Sequence, residues 1–172
     1  TALEELKIVH LSEMVTLSNE IGLRNLKHLQ RLEISRWPFL QELPQCLHQL
    51  SSLKEFKVWR CPSLVCFPET GFPSTLRDLA IKGCDALQLL PEWKMQNSTD
   101  LCFPLEYLVI EGCSSLKSFP KGELPSTLKE LEIQTCKNLE SLPKDMIHNN
   151  SSLEFLKISG CRSVTSFPRG PI

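Results

Sequence analysis

A spacing of apolar residues recurs along almost all of this 172-residue chain and excludes most ordinary folds. In the copy from Leu128 to Pro143, apolar residues stand at offsets 0, +3, +5, +8, +11, +14 and +15. Neither the 3.6-residue period of a helix nor the two-residue alternation of a strand gives this spacing over its whole length. The alternating stretch 131–133 indicates a short strand, and the later intervals of three indicate a return that curls around a common axis.

Seven copies of this spacing follow one another at intervals of 26, 24, 23, 29, 23 and 25 residues. They begin at Leu3, Leu29, Leu53, Leu76, Leu105, Leu128 and Leu153. A period of 20–29 residues with the pattern L-x-x-L-x-L-x-x-N/C-x-L is typical of leucine-rich repeats. Seven copies in register predict an α/β solenoid of about seven coils, shaped like a horseshoe. Short parallel strands should line its concave face, and its convex returns should be mostly irregular, with little helix.

The whole chain, residues 1–172, is predicted to form a single leucine-rich-repeat domain. The sequence starts and stops almost directly inside a repeat. Because the terminal repeats of a solenoid normally need polar caps, we expect the chain to be a fragment of a longer solenoid. Its two open ends should expose the apolar ladder, so that the chain is less stable, or associates more, than one with flanking repeats.

The returns between coils differ in composition. Residues 23–29, 45–50 and Lys144–His148 have the length and apolar spacing for about one turn of helix. The longest return, Glu92–Pro104, is polar in its middle and is predicted to protrude as a loop on the convex side.

Two returns, 67–76 and 119–128, each contain two prolines and a glycine, which exclude helix. We expect a tight extended path there, in which serine and threonine hydroxyls satisfy backbone groups. Phe72 and Leu124 should point inward.

Five of the eight cysteines share one offset, just after the predicted strand: Cys61, Cys84, Cys113, Cys136 and Cys161. This column predicts small buried thiols that donate weakly to backbone carbonyls. Because the column contains an odd number of cysteines, they cannot all pair with one another in disulfides. No C-x-x-C motif or nearby histidine pair indicates zinc. Reduced thiols favour an intracellular protein. Trp37 takes the same offset in the second coil and is predicted to be a core residue.

Composition and motifs argue against several other functions. The net charge of −1 lacks the basic excess of nucleic-acid-binding proteins, and no apolar run is long enough to span a membrane. The four histidines are scattered, and neither G-x-S-x-G nor H-E-x-x-H occurs. We therefore expect no enzyme activity, no catalytic or metal-binding residues and no cofactor.

Side chains that face away from the core should form columns on the concave sheet, whose strands lie about 4.8 Å apart. Arginine and exposed aromatic residues are enriched in binding hot spots, which makes Trp59 the first candidate. The predicted protein-binding surface consists of Trp59, Arg60, Lys57, Arg36, Lys82, Tyr107 and Phe155. The alternative is that the charges form a solvated face and that the aromatic rings pack on neighbouring surface side chains.

The repeat L-x-x-L-x-I-x-x-C-x-x-L-x-x-[FL]-P resembles the C-terminal leucine-rich-repeat region of plant intracellular nucleotide-binding resistance receptors, and most closely their coiled-coil subgroup. The resemblance covers about residues 29–168 and is carried by Gly83–Cys84, Gly112–Leu116, Phe72–Leu76 and Leu124–Leu128. Extracellular plant repeat proteins differ, because they keep a near-constant period of 24 with the consensus L-x-G-x-I-P.

The resemblance implies a sensor segment of a cytoplasmic innate immune receptor. In that family the horseshoe recognises a pathogen effector or a modified host protein, and it also holds the nucleotide-binding module in its resting state. The implied partners are therefore a protein ligand and the nucleotide-binding domain of the full-length receptor. No G-x-x-x-x-G-K-[ST] loop occurs here, so this segment itself should not bind nucleotide.

Two other binding functions stay open. The glycosylation acceptor patterns at 97–99, 149–151 and 150–152 would fit an extracellular repeat receptor, although asparagine and serine are expected in loops anyway. A substrate adaptor of a ubiquitin ligase could use the same kind of repeat. A mass shift after glycosidase treatment would identify the extracellular alternative, and the domain that precedes Thr1 would identify the adaptor.

Overall fold

A computed structural model describes residues 2–11, 13–17, 22–93, 104–120, 124–143, 146–147 and 151–168. Seven strands of five residues each form one sheet. The strands are β1 (Glu5–Val9), β2 (Arg31–Ser35), β3 (Glu55–Trp59), β4 (Asp78–Lys82), β5 (Tyr107–Glu111), β6 (Glu130–Gln134) and β7 (Phe155–Ser159). The described helix consists of two short 3₁₀ turns, Leu23–Asn25 and Leu47–Gln49. The predicted solenoid with little helix is confirmed.

The strands lie in chain order, and each is parallel to its neighbours. The pairing is in register throughout, so that Leu32 of β2 pairs with Phe56 of β3, and Ile81 of β4 pairs with Ile110 of β5. Each coil therefore presents the same repeat offset at the same place along the sheet. Columns of equivalent side chains follow directly from this register.

The second and fourth residues of each strand point into the core, because side chains alternate across a strand. In β2 to β6 these residues are buried: Leu32, Ile34, Phe56, Val58, Leu79, Ile81, Leu108, Ile110, Leu131 and Ile133. The equivalent residues of β1 and β7 are only partly buried. Leu3, Met14 and Phe167, which also belong to the predicted ladder, are 41%, 42% and 51% exposed. The ladder is thus open at both ends of the described solenoid, because each end coil has a neighbour on one side only.

The cysteine column is buried as predicted. Cys61, Cys84, Cys113 and Cys136 have no exposed surface, and Cys161 in the last coil is partly buried. Each thiol donates to the carbonyl of the residue two positions earlier, for example Cys84 Sγ to Lys82 O at 3.7 Å and Cys136 Sγ to Gln134 O at 3.5 Å. Burial raises the pKa of the Cys84 thiol to about 12. The column is therefore a set of buried thiols that donate to the backbone carbonyls where each strand ends.

Trp37 takes the place of cysteine in the second coil and is fully buried, which confirms its assignment to the core. Its indole Nε1 donates to the backbone carbonyl of Met14 at 2.6 Å. A large side chain is accommodated there because its polar atom finds a partner in the preceding coil.

In the described parts of the proline-containing returns, 67–76, 119–120 and 124–128, helix is absent as predicted. The hydroxyl of Thr75 donates to Leu53 O at 2.7 Å, and that of Thr127 donates to Leu105 O at 2.8 Å, so each return is tied to the preceding coil. Phe72 and Leu124 are 9% and 7% exposed, which confirms that they point inward.

A minor parallel ladder, which the sequence analysis did not predict, lies in the returns. Isolated bridges join Thr16 to Glu42 and Glu42 to Cys66. Its backbone hydrogen bonds, such as Gln41 N to Val15 O at 2.9 Å, hold the returns of the first coils in register.

Several predictions concern residues outside the described part of the chain. They are most of the loop Glu92–Pro104, the helical turn at Lys144–His148 except for residues 146 and 147, and the asparagines of the three glycosylation patterns. Among the described residues, no helix has the length and apolar character to cross a membrane, and no group of metal-ligating side chains could hold a metal ion.

Candidate functional site

The first, third and fifth residues of each strand point away from the core and make up what we call the outward face. Because the strands are in register, this face consists of three columns of seven residues. All seven predicted binding residues lie on the outward face or directly after a strand. The predicted binding residues therefore belong to one side of the sheet and to the residues that follow its strands.

The residue that follows each strand adopts a left-handed backbone conformation in every coil. We call these residues the left-handed row: His10, Arg36, Arg60, Gly83, Gly112, Thr135 and Gly160, with φ between 51° and 67°. Each of the first six donates its backbone N–H to the last carbonyl of the following strand, as Arg60 N does to Lys82 O at 2.8 Å. A residue other than glycine costs about 1–2 kcal/mol in this conformation. Arg36 and Arg60 carry this cost in adjacent coils.

These two arginines lie over the ring of Trp59, the last residue of β3. The guanidinium carbon of Arg36 is 5.2 Å from the centre of the ring, and that of Arg60 is also 5.2 Å away. A cation within about 6 Å of an indole face is attracted by roughly 0.5–1 kcal/mol at an exposed site. The indole Nε1 donates to Glu33 Oε1 on β2 at 2.7 Å. We call Glu33, Arg36, Trp59 and Arg60 the Trp59 cluster.

Glu33 holds the indole ring in place. Its Oε1 also accepts a 3.3 Å hydrogen bond from the hydroxyl of Ser35, and its Oε2 lies 3.9 Å from Lys7 Nζ. Ser35 has no exposed surface, although its position in the repeat predicts an outward-facing residue. Trp59 is its register partner and reaches back across β2 to Glu33, so the indole shields Ser35 from solvent.

An open groove of about 350 Å³ borders the cluster on the side of β4 to β6. Its lining consists of Trp59, Arg60, Lys82, Gly83, Glu111, Gly112 and Thr135. The two glycines belong to the left-handed row and contribute no side chain, so the floor beside Arg60 is backbone. A Cβ atom at Gly83 would lie 3.6 Å from Arg60 N, which shows how closely the two coils approach here.

Two of the predicted lysines lie near the cluster. Lys82 lines the groove and forms an ion pair with Glu111 at 3.4 Å, so its charge is balanced by its neighbour in the sheet. Lys57 is exposed and lies two residues before Trp59 on the same face of β3. Five of the seven predicted residues thus form one contiguous surface around Trp59.

Tyr107 and Phe155 do not join that surface. Both occupy the first position of a strand, at the opposite end of the sheet from Trp59, and Glu130 separates them in register. From strand rise and strand spacing, the Cα of Tyr107 lies roughly 16 Å from that of Trp59, and the Cα of Phe155 roughly 23 Å away. Phe155 is 46% exposed. The seven predicted binding residues therefore form two separate groups, the five around Trp59 and the pair Tyr107 and Phe155, rather than one surface.

The end of the face that carries Tyr107 is acidic. Glu55, Asp78 and Glu130 occupy first positions of their strands there, and Glu55 is the register partner of Asp78. Burial, together with the charge of Glu55, raises the pKa of the Asp78 carboxyl. At β1 and β2 the same end is neutralised, because Arg31 Nη2 contacts Glu5 Oε2 at 3.2 Å. Acidic groups therefore lie at the start of β3, β4 and β6, whereas Arg36 and Arg60 follow the ends of β2 and β3.

Known proteins with similar sequences come from plants. The chain is 35% identical over 143 residues, or 82% of its length, to the disease resistance protein At3g14460 of Arabidopsis thaliana. It is 34% identical to the Arabidopsis protein SUPPRESSOR OF npr1-1, CONSTITUTIVE 1 over 84% of its length, and 28% identical to the Arabidopsis disease resistance protein RPS4 over 71%. No protein-family model matches the chain.

This chain is a leucine-rich-repeat segment homologous to plant disease resistance proteins. It spans about a tenth of the length of the curated relatives it matches, 9% of the first and 11% of the other two. Among solved structures, the leucine-rich-repeat domain of the type III effector XopL aligns over 95% of the chain and 54% of that domain, with a TM-score of 0.68 and 23% identity. That likeness confirms the fold of the resistance-protein segment.

Sequence reasoning missed two features of this segment. It did not single out Glu33, whose carboxylate is the partner that orients Trp59. It also missed the left-handed conformation of Arg36 and Arg60. A signal for the left-handed conformation was present, because Gly83 and Gly112 take the same offset in the fourth and fifth coils.

Proposed function

We propose that this chain is the recognition segment of a plant innate immune receptor, and that a protein ligand binds to the outward face of its sheet at the Trp59 cluster. The ligand would be a pathogen effector or a modified host protein. The observation that carries the proposal is an indole ring held by two arginines and a carboxylate on an open sheet face. Groups that are already ordered lose little conformational entropy when a partner binds, and tryptophan and arginine dominate binding hot spots.

The homology to disease resistance proteins supports the immune role. A repeat solenoid offers an extended, regular surface, which suits a non-catalytic module that binds another protein. We place the receptor in the cytoplasm. In its resting state the same segment would contact the nucleotide-binding domain of the full-length protein and restrain it.

The test uses the full-length receptor in leaf tissue, challenged with a pathogen strain to which the unmodified receptor responds. Trp59→Ala should abolish the defence response at unchanged receptor abundance, because it removes the anchor and frees both arginines. Lys157→Ala is the matched control, since it also removes an exposed side chain from the outward face, but on β7. Its response should equal that of the unmodified receptor.

The restraining role has a separate readout in the same experiment. Variants of the outward face that release the nucleotide-binding domain should trigger the response without pathogen. A normal, pathogen-dependent response of Trp59→Ala at full abundance would remove the Trp59 cluster from the recognition surface. An equal loss of response in Lys157→Ala would show that the assay reports general damage to the face.

A further inference from the structure

The arginines of the Trp59 cluster outnumber its one carboxylate, Glu33, which accepts a hydrogen bond from the indole N–H. Several other cations of the face are paired, Arg31 with Glu5 at 3.2 Å and Lys82 with Glu111 at 3.4 Å. Among the described residues, Arg36 and Arg60 take part in no ion pair, and Lys57 takes part in none either. Both guanidinium groups contact the indole ring of Trp59, and the backbone N–H groups of the two arginines donate to the following strands. With Arg36, Arg60 and Lys57 against Glu33, this corner of the sheet carries a net positive charge.

Stacking on a ring leaves the planar edge of a guanidinium group available. The five N–H donors of arginine lie in the plane of the group, whereas the contact with an aromatic ring uses its flat face. The donors of Arg36 and Arg60 that point away from the indole ring can therefore meet an acceptor while both guanidinium groups keep their contact with Trp59. A carboxylate suits this edge best, because its two oxygens can accept two parallel hydrogen bonds.

The rest of the face directs an acidic ligand to this corner. The opposite end of the sheet presents Glu55, Asp78 and Glu130, which repel a carboxylate. Like charges placed together cost binding free energy, so such a ligand has one favourable end of the face to occupy.

The groove beside Arg60 gives an acidic side chain a path to the guanidinium group. Its floor at Gly83 and Gly112 is backbone only, and its volume of about 350 Å³ has room for side chains of a partner. Thr135, which follows β6, lines the far side of the groove.

We propose that the Trp59 cluster binds the carboxylate side chains of an acidic segment on the surface of the partner protein. The partner's carboxylates meet the in-plane donors of Arg36 and Arg60, and apolar parts of the segment cover the exposed part of the indole ring. This inference rests on the proposed function, because it assigns a chemical class to the ligand of the same face.

The experiment follows the indole N–H signals of the ¹⁵N-labelled 172-residue chain by NMR during titration with decaglutamate at low salt. Decalysine and decaserine serve as charge and length controls. Decaglutamate should shift the Trp59 signal in a saturable way and leave the signal of buried Trp37 in place. Added salt should weaken the binding, since exposed charges are screened. The control peptides should produce no saturable shift.

A matched pair of double variants tests the assignment. Arg36→Gln with Arg60→Gln should weaken decaglutamate binding at least tenfold, because the charge and the N–H donors of both guanidinium groups are lost. Arg31→Gln with Lys129→Gln removes the same net charge, but these cations are already paired with Glu5 and Glu106 and do not contact the Trp59 cluster. The second variant should bind within about twofold of the unmodified chain, given that exposed paired charges contribute little. An unshifted Trp37 signal in both variants would establish that the core is intact.

The failures can be told apart. If both double variants weaken binding equally, or if decaglutamate does not shift the Trp59 signal, the acidic-segment proposal is overturned. If inorganic phosphate displaces decaglutamate at far lower concentration than acetate does, the site is a phosphate site and the carboxylate assignment is wrong. In each of these cases a lost immune response of the full-length receptor with Trp59→Ala would still support the face as the recognition surface.

Discussion

Alanine substitution along one column of buried isoleucines tests whether the core is a continuous ladder. The fourth residue of six strands is isoleucine, and of β3 it is valine. Ile110 of β5 has no exposed surface and pairs with Ile81 on one side and Ile133 on the other. Ile158 of β7 is only partly buried and pairs with Ile133 alone. The same chemical change can therefore be made in the middle and at the end of one column.

The expected loss of stability differs between the two sites. Ile110→Ala removes three buried carbons, worth about 0.8 kcal/mol each, so the transfer of these atoms alone contributes about 2.4 kcal/mol. The cavity left in a packed interior adds to this, and measured losses for such substitutions are roughly 2–5 kcal/mol. Ile158→Ala should cost about 1 kcal/mol, because part of the side chain already meets water and the end coil can close over the gap.

Urea unfolding followed by far-ultraviolet circular dichroism measures both losses. At unchanged slope, the midpoint for Ile110→Ala should fall markedly further than that for Ile158→Ala. In thermal unfolding, a loss of about 3 kcal/mol corresponds to a decrease in Tm on the order of 10 °C for a chain of this size. Equal losses at Ile110 and Ile158 would refute the argument, because they would mean that neighbouring coils do not share one core.

Three further predictions concern the left-handed row and the cysteine thiols. Gly112→Ala should lower the free energy of unfolding by about 1 kcal/mol, because a Cβ atom there meets neighbouring backbone only at 3.5–3.6 Å and the cost comes from a φ of +65°. Thr135→Gly removes the strain of the same conformation and should not destabilise the chain. If Gly112→Ala left the free energy of unfolding unchanged in the same urea assay, the reasoning would be contradicted. The exposed thiol of Cys66 should react with iodoacetamide in the native chain and the buried thiol of Cys84 should not, as read by peptide mass spectrometry. Burial raises the pKa of Cys84 from 9.0 to about 12, so the unfolded state loses this proton first, and stability should fall between pH 9 and pH 12 by up to about 1.4 kcal/mol per pH unit for this thiol. Rapid native labelling of Cys84 would show that the column is open to solvent.

The features of the fold that follow from backbone geometry could be predicted from the sequence. A repeated offset in a parallel, in-register solenoid can only produce a column, so the burial of Cys84 and Cys113 followed from their spacing. The prolines of residues 67–76 and 119–128 excluded helix for an equally local reason. The inward direction of Phe72 followed from the need to fill the core beneath that return.

The arrangement of the outward face could be predicted only in part. The columns placed Trp59, Arg36 and Arg60 near one another, but they did not show that Trp59 would cross to Glu33 and cover Ser35. The interactions that decide this are worth roughly 0.5–1 kcal/mol each, and several exposed partners compete for each side chain. In the core, burial of an aliphatic side chain is worth about 1.5–3 kcal/mol and leaves one arrangement. The separation of Tyr107 from Trp59 went unnoticed because residue type, rather than position along the strand, selected both.

The left-handed row relates the fold to the proposed function. The backbone of each coil turns away from the sheet after β1 to β7 with φ between 51° and 67°, and glycine meets this requirement without strain in three coils. In the second and third coils arginine occupies the position at a cost of about 1–2 kcal/mol per residue. The contact with Trp59 stabilises each arginine by roughly 0.5–1 kcal/mol, which does not exceed the cost of the backbone conformation. The contacts of the two arginines with Trp59 therefore give little or no net stability to the folded chain. Strained residues that persist without a gain in stability tend to mark functional sites. His10 and Thr135 carry the same strain in other coils; under the proposed function, a ligand that meets the edges of the two guanidinium groups would account for arginine in the second and third coils.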